Sequence, residues 1–181
     1  MSVFSNTAKD SVEDRAKYAP AILDLIGTRE PIDVLRQTPD AAKRATAGLT
    51  ADQLRRPELP GKWSIAHVLR HLADSEVVWG WRMRLILAQD RPPITGYDQD
   101  LWADRLHYAD ADVTDSLDAL RVLRRDNLKL IERATPDDMK RVGVHSERGE
   151  ESAGYLTRLF AGHDLLHLNQ IERIKKTFGP S

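Results

Sequence analysis

The sequence predicts an all-α protein, and three observations lead to that prediction. Apolar residues recur at spacings of three and four along several long segments, as they do on the buried face of a helix. Alternating runs of β-branched residues, which would indicate strands, are nearly absent. The 181 residues are enough for one domain with a sizeable core and too few for two comfortable ones. We therefore expect a single helical domain.

The N-terminal part of the chain is predicted to hold several short helices. Val12–Ile26 is expected to form the first of them. Pro31 to Arg36 is expected to add one or two further turns. Thr38 then resembles an N-cap, and Pro39 stands at the first helical position, where proline is favoured. A separate helix is therefore expected from there to about Gly48.

The next main helix is predicted to begin after Ser64 and to end before Pro92. Thr50 to Leu54 resembles a single capped turn ahead of it. Serine is a favoured N-cap, and a proline pair cannot continue a helical hydrogen-bond ladder. The apolar stripe of this helix consists of Ile65, Val68, Leu69, Leu72, Trp79, Met83, Ile86 and Leu87.

The second half of the chain is predicted to contain two more long helices. A connection from Ile94 to Ala111 comes first. A link of that length either joins two helices that run the same way or covers an active site. The third main helix is expected from about Thr114 to Arg133. Arg141 to Glu151 is polar and is expected to hold a short extended piece. Ser152 then caps a last helix, Tyr155 to Thr177.

Composition and charge exclude several classes of protein. The 27 basic side chains nearly cancel the 28 acidic ones, so the excess of positive charge that nucleic-acid binding requires is missing. The chain has no cysteine, which excludes disulfides, thiolate metal ligands and a cysteine nucleophile. We find no apolar run of about 20 residues and no apolar stretch near the N-terminus, so we expect neither a membrane span nor a signal peptide. The expected location is the cytoplasm.

Two histidines stand in the apolar stripe of the last predicted helix. His163 and His167 are four residues apart, so their rings return to nearly the same helix face one turn apart. Neutral imidazoles in such a pair are good ligands for zinc, nickel, iron or copper. The spacing alone fits a pair of hydrogen-bonded core histidines equally well.

A tightly held ion needs a third ligand, and the spacing leaves several candidates. His67 and His71 lie one turn apart on the second main helix, and their positions on that helix do not separate them. His107 and His145 fall in predicted loops and are expected to be exposed to solvent. A di-iron carboxylate centre is excluded, because its Glu-x-x-His pairs are missing.

Three segments together carry a resemblance to a known family. They are Gly61-Lys-Trp-Ser-Ile65, His71-Leu-Ala-Asp74 and His163-Asp-Leu-Leu-His167-Leu-Asn-Gln170. The combination resembles the DinB/YfiT-like metalloenzymes of the DinB superfamily, over roughly Pro31 to Lys176. The resemblance implies an antiparallel four-helix bundle in an up-down-down-up arrangement. It also implies a division into an N-terminal extension, residues 1–30, packed on a metal-binding bundle domain, residues 31–178.

The same resemblance implies the metal site and the kind of function. The ligands would be His71, His163 and His167, while His67 has no matching role. The ion would be divalent, zinc or nickel, with iron and manganese as alternatives. The expected protein is a bacterial homodimeric enzyme with a small-molecule substrate, either a hydrolase or an S-transferase for a low-molecular-weight thiol such as bacillithiol or mycothiol. The alternative is a non-catalytic metal-binding stress-response or dimerisation module.

Polar neighbours of the histidines are candidates to assist the site. Asp74 stands three residues after His71, and Gln170 stands three residues after His167, so either could orient a ligand or accept a proton. Solvated or capping side chains are the alternative for both. Two other carboxylates are less well placed, namely Glu76 and Asp164.

Several aromatic residues are candidates to line a pocket, namely Trp79, Trp81, Tyr97 and Trp102. Trp79 belongs to the apolar stripe, and core packing is therefore expected for it. Trp81 falls off the stripe and is expected to meet the long connection or a second subunit. Tyr97 and Trp102 lie in that connection, where they could cover the metal.

Overall fold

The computed structural model describes residues 12–178, with side chains from Tyr18 onward. Four long helices form a bundle: α2 (Pro31–Thr46), α4 (Ile65–Ala88), α6 (Val113–Glu132) and α7 (Ala153–Lys175). Three further helices are α1 (Val12–Ile26), which packs on α7, and the short α3 (Ala51–Arg55) and α5 (Gln99–Arg105). Three short strands are β1 (Pro93–Ile94), β2 (Val142–His145) and β3 (Gly149–Ser152). No described helix is both long and apolar enough to cross a bilayer.

Helices α4 and α6 are neighbours that run in the same direction. Glu76 lies beside Arg124, and Gly80 lies beside Asn127, so residue numbers rise together along the two helices. The chain between them, residues 89–112, must therefore return along the bundle. This is the geometry for which the long connection was predicted.

Helices α2 and α7 run opposite to that pair. Arg141 donates from Nε to the carbonyl of Ile86 near the end of α4 (3.0 Å), and its own carbonyl accepts the N–H of Ala153 at the start of α7 (2.9 Å). Helix α7 therefore begins where α4 ends. The early residues of α2 and α7 share one core cluster, and their later residues share the other. The directions are up, down, down, up, which confirms the predicted bundle.

Three of the predicted N-caps, Thr50, Ser64 and Ser152, are present, and they explain where three helices begin. The Thr50 hydroxyl accepts the N–H of Gln53 (3.2 Å) while the Gln53 side chain accepts the N–H of Thr50 (2.9 Å), which is a complete capping box. Ser64 caps α4, and Ser152 caps α7. These hydroxyls satisfy backbone donors that have no partner within the helix.

The predicted break in α2 is wrong, because the helix is continuous through Pro39. A proline inside a helix has no N–H to donate to the carbonyl four residues earlier. Here that carbonyl belongs to Leu35, and the buried Arg124 guanidinium donates to it instead (2.5 Å). Thr38 does not cap a new helix; its hydroxyl donates to the carbonyl of Val34 (3.0 Å).

A small sheet closes one end of the bundle. Strand β1 pairs in parallel with β2, and β2 pairs antiparallel with β3, in the order β1-β2-β3. The sequence predicted one extended piece after Arg141 but neither β1 nor the short helix α5. Gly143 packs closely where the sheet meets the bundle: a Cβ there would lie 2.3 Å from a methyl carbon of Ile94, so that buried side chain would have to move.

Helix α1 is held close against α7. Ile22 and Ile26 are each 1% exposed and belong to the core cluster that includes Leu156 and Leu159 of α7. A Cβ on Gly162 would lie 2.4 Å from the carbonyl oxygen of Ile22, so only glycine permits this approach. Residues 1–11 of the predicted N-terminal extension lie outside the described residues.

One buried charged cluster joins the four long helices. Arg124 of α6 is 1% exposed and donates from Nε to Glu76 of α4 (2.7 Å). It also pairs with Asp164 of α7 (2.7 Å), and it donates to the Leu35 carbonyl of α2. Asn127 donates to the second oxygen of Glu76 (3.0 Å). Burial raises the pKa of Glu76, although the guanidinium opposes that shift.

Removing this guanidinium is expected to destabilise the protein strongly. Arg124→Met should lower the free energy of unfolding by about 3–5 kcal/mol, because two buried carboxylates and a carbonyl would lose their shared partner. Chemical denaturation followed by circular dichroism measures the change. The matched control is Arg121→Met, which removes an exposed arginine one turn earlier on α6 and should shift the value by less than about 0.5 kcal/mol. Equal effects of the two substitutions would contradict the role given to Arg124.

Candidate metal centre

Three imidazoles from two antiparallel helices meet inside the bundle. His71 comes from α4, and His163 and His167 come from successive turns of α7. The Nε2 atom of His163 lies 3.0 Å from Nε2 of His71 and 3.1 Å from Nε2 of His167. The structure therefore turns the same nitrogen of all three rings towards one point.

The tautomer of His167 is fixed by a neighbouring amide. Its Nδ1 lies 2.8 Å from the Oε1 atom of Gln170, and an amide oxygen can only accept a hydrogen bond. Nδ1 therefore carries the proton, and the Nε2 lone pair faces the other two rings. Gln170 is thus in direct contact with His167.

The electrostatics of the cluster suit a cation. Burial, with the neighbouring rings of His167 and His163, holds the pKa of His71 well below its usual range. Burial and His163 lower the pKa of His167 to about 3. Both rings are therefore neutral near pH 7, so each has one ring nitrogen with a lone pair that can bind a cation.

These donors fit a divalent transition-metal ion. Neutral imidazole nitrogens are ligands that zinc and nickel accept readily. Among the described residues, this is the one group of three or more histidine, aspartate or glutamate side chains whose ligand atoms lie within 4.8 Å of one another.

The other histidines lie apart from this cluster. His67 is half-buried, and its Nδ1 lies 2.8 Å from the hydroxyl of Ser64 at the start of α4. His107 is exposed, as predicted. His145 was also predicted to be exposed, and that prediction is wrong: it is 2% exposed, because strand β2 lies between β1 and β3 and turns this side chain inward.

The carboxylates near the cluster are engaged with other groups. Asp74 accepts the hydroxyl of Tyr108 (2.6 Å) on one oxygen and pairs with Arg70 through the other. It thereby holds the connection against α4. Asp164 pairs with Arg124, and its second oxygen lies 3.9 Å from Nδ1 of His163. Burial raises the pKa of Asp164, but Arg124 and His163 together keep that pKa below its usual value.

Two neighbours of the cluster had not been predicted. The Ser75 hydroxyl lies 3.4 Å from Nε2 of His71 and 3.3 Å from the hydroxyl of Tyr97. Ser75 follows His71 by four residues, so the helical repeat already placed it on the same face. Trp63 packs against the rings of His71 and His167, with centroid distances of 5.0 and 6.4 Å.

A cavity of about 570 Å³ opens beside the cluster. His163 and Ser75 form part of its wall, as do Trp79 and Tyr97. Phe160 stacks between Trp79 and His163, with centroid distances of 4.7 and 5.4 Å, and gives the cavity an aromatic side. The volume is within the range of small-molecule sites.

The candidate aromatic residues divide into three groups. Trp79 is 2% exposed and packs in the core while it also borders the cavity. Tyr97 and Trp102 pack on each other in the connection, with their centroids 4.5 Å apart. Trp102 faces a separate surface hollow, and Trp81 is 62% exposed and borders neither space.

His145 also borders the cavity, and its protonation is set by its surroundings. Its Nδ1 accepts the N–H of Glu147 (3.1 Å), so a neutral ring carries its proton on Nε2. Burial, and then the charge of Arg148, lower the pKa of His145 to about 4. The ring is therefore neutral near pH 7.

The stability of the metal-free protein is expected to decrease as the pH falls from about 6.5 towards about 4. In that window the histidines bind protons in the unfolded state but not when buried in the folded state. Protonation therefore favours the unfolded state as the pH falls. His145→Asn keeps an acceptor for the Glu147 N–H and cannot titrate, so its unfolding free energy should depend less steeply on pH. Denaturation at a series of pH values measures this slope.

His107→Asn is the matched control, because His107 is exposed and asparagine tolerates its positive φ. The slope of this variant should equal that of the wild type. A slope unchanged in His145→Asn as well would contradict the burial of His145 as a neutral ring.

Comparison with known proteins identifies the family. Residues 35–171 match the model of the DinB superfamily. A relative from Geobacillus thermodenitrificans, named "Putative metal-dependent hydrolase", is 31% identical over 162 residues, which are 89% of this chain and 91% of the relative. "Putative metal-dependent hydrolase YfiT" from Bacillus subtilis is 30% identical over 146 residues, which are 78% and 82% of the two chains.

The fold agrees with a solved structure from the same group. YfiT from Bacillus subtilis, described as "a probable metal-dependent hydrolase with an unusual four-helix bundle topology", superposes with a TM-score of 0.78 at 26% sequence identity. The match covers 96% of this chain and 92% of YfiT. The region that matches the family model also contains His71, His163 and His167. The chain belongs to the DinB superfamily.

Proposed function

We propose that the protein is a metal-dependent hydrolase whose divalent ion is held by the Nε2 atoms of His71, His163 and His167. The observation that carries the proposal is the convergence of those atoms, two pairs of which lie 3.0 and 3.1 Å apart. Imidazole nitrogens whose lone pairs face one another inside a protein are stabilised by a shared cation. Zinc or nickel suits this donor set, with iron and manganese as alternatives.

The chemistry follows from such an ion together with the surrounding side chains. The bound ion would supply Lewis acidity, which activates water as a nucleophile and polarises a substrate carbonyl. The Ser75 and Tyr97 hydroxyls lie within reach of each other beside His71 and can relay a proton. Gln170 holds His167 in the tautomer that ligation needs. Phe160 and Trp79 exclude water from one side of the cavity.

Several observations favour hydrolysis over the alternatives. The relatives from Geobacillus thermodenitrificans and Bacillus subtilis are named for metal-dependent hydrolysis. A cavity of about 570 Å³ bordered by His163 favours an enzyme over a non-catalytic metal-binding module. We further propose that the bundle domain spans residues 31–178, that the protein acts as a cytoplasmic homodimer, and that its substrate is a small molecule.

The purified protein is expected to contain about one divalent ion per chain, and loss of any of the three imidazoles should remove it. His71→Ala, His163→Ala and His167→Ala each leave two ligands, which hold a transition metal poorly. Elemental analysis after gel filtration measures the ion. His67→Ala is the matched control, since it removes a histidine one turn before His71 and should keep full occupancy. Full occupancy in any of the first three variants would remove that residue from the ligand set.

Hydrolysis is expected to depend on the ion. Protein stripped with a chelator and reloaded with zinc or nickel should hydrolyse a panel of 4-nitrophenyl esters and anilides, whereas stripped protein and His163→Ala should not. Release of 4-nitrophenolate or 4-nitroaniline measures the rate. Equal rates with and without metal would contradict the proposal. Metal-dependent conjugation of a low-molecular-weight thiol to chlorodinitrobenzene, without hydrolysis, would assign transfer instead.

A further inference from the structure

The cavity wall carries a second group of polar side chains besides those at the metal centre. Arg82 comes from α4, His145 from β2, and Arg148 from the turn between β2 and β3. The two guanidiniums lie near the neutral imidazole, since the charges of Arg148 and Arg82 both lower its pKa. None of them belongs to the proposed ligand set.

Arg82 is a half-buried cation, and the carboxylates of Glu151 and Glu147 act on its charge only from beyond ion-pair distance. Its Nη2 donates to the carbonyl of Thr95 (2.7 Å), and within the part of the chain that the structure describes no carboxylate lies within 4.0 Å of it. Burial, and then the like charge of Arg148, lower the pKa of Arg82. A guanidinium in this position gains from an anion that enters the cavity.

Arg148 is held in place by a buried carboxylate. Its Nε and Nη2 atoms donate to the two oxygens of Glu151, at 2.6 and 2.9 Å. Glu151 is 3% exposed, so this paired geometry fixes the plane of the guanidinium. The Nη1 group of Arg148 takes no part in the ion pair with Glu151.

His145 contributes a donor that has no acceptor. The ring is 2% exposed, its Nδ1 is used by the N–H of Glu147, and its Nε2 has no hydrogen-bond partner. A buried N–H without a partner costs free energy, and a ligand oxygen in the cavity would satisfy it.

Among the charged groups of the cavity wall, Arg82 is better placed than Arg148 to pair with an anion. Glu151 neutralises Arg148, which leaves the charge of Arg82. Asp98 uses an oxygen to cap α5, and Glu147 is exposed to solvent at the rim beside Gly96. Because Asp98 and Glu147 also line the cavity, a ligand with a single negative charge is favoured over a dianion, which these carboxylates would repel more strongly.

We propose that this second group, defined by Arg82, His145 and Arg148, binds the carboxylate of the substrate, so that the enzyme acts on small carboxylic acids. The planar group would meet the guanidinium of Arg82 and the Nε2–H of His145 while the bond to be cleaved faces the three imidazoles. The inference rests on the proposed function for the position of that bond. The binding of the carboxylate does not depend on the ion.

The test compares an acid with its neutral amide on the full-length protein. Benzoylglycine and benzoylglycinamide differ in the carboxylate and have an aromatic ring for the Phe160 side of the cavity. Isothermal titration calorimetry in the presence of a chelator excludes ligation of a metal by the carboxylate. The acid should bind about tenfold more tightly than the amide, because a charge-assisted hydrogen bond is lost in the amide.

Arg82→Gln should abolish that preference. Because Arg82 has no carboxylate partner, the substitution leaves no buried charge behind, and thermal unfolding should confirm an intact fold. Arg125→Gln removes an exposed arginine from α6 and is the matched control, which should keep the tenfold preference.

Three outcomes would overturn the inference. The first is equal or absent binding of the acid and the amide, and the second is an unchanged preference for the acid in Arg82→Gln. The third is displacement of benzoylglycine by inorganic phosphate at lower concentrations than by acetate, which would assign Arg82, His145 and Arg148 to phosphate binding instead. Failure here with a metal-loaded, active protein would leave the proposed function standing. If the protein binds the carboxylate but holds no metal, the carboxylate site stands and the proposed function fails.

Discussion

The arrangement of the bundle depends on one buried guanidinium. Arg124 contacts all four long helices: it is part of α6, pairs with Glu76 of α4 and Asp164 of α7, and donates to the Leu35 carbonyl of α2. Burying three charges is costly unless their geometry satisfies each of them. The cluster therefore penalises any shift of one helix along another, and the relative register of the helices is fixed where it matters for the site.

The same guanidinium connects the bundle to the three imidazoles. Asp164 is the residue after His163, so the ion pair with Arg124 fixes the rotation of α7 at the point where His163 faces the interior. Arg124 also lies over the ring of Phe160, 5.5 Å from its centroid, and that ring stacks on His163. Helix α4 is held by Glu76, five residues after His71. The two helices that bring the imidazoles together are thus positioned by one side chain.

Most of the fold could be predicted because its signals are local. Hydroxyl caps such as Ser64 and Ser152, and apolar spacing along α4, α6 and α7, can be identified from a few neighbouring residues. The break expected at Pro39 was wrong because the partner of the freed carbonyl lies 89 residues away, on another helix. Strand β1 and its pairing with β2 also depend on contacts between distant segments.

The candidate site shows the same division. The inward direction of His163 and His167 followed from helical spacing, whereas helical position did not distinguish His71 from His67. Burial of His145 depends on the small sheet, which the sequence barely indicates, so this residue was expected in solvent. Ser75 was not predicted to lie at the site, although its spacing of four residues from His71 places both side chains on the same face of α4. Side chains whose role depends on tertiary contacts were the ones that the sequence did not reveal.

The convergence of imidazoles from α4 and α7 on one cation is the central claim, and anomalous diffraction tests it most directly. Crystals of protein purified without added metal should show a single strong peak at a transition-metal edge, about 2.0–2.1 Å from the Nε2 atoms of His71, His163 and His167. A structure with those three nitrogens apart, or with its anomalous peak at other residues, would contradict the account.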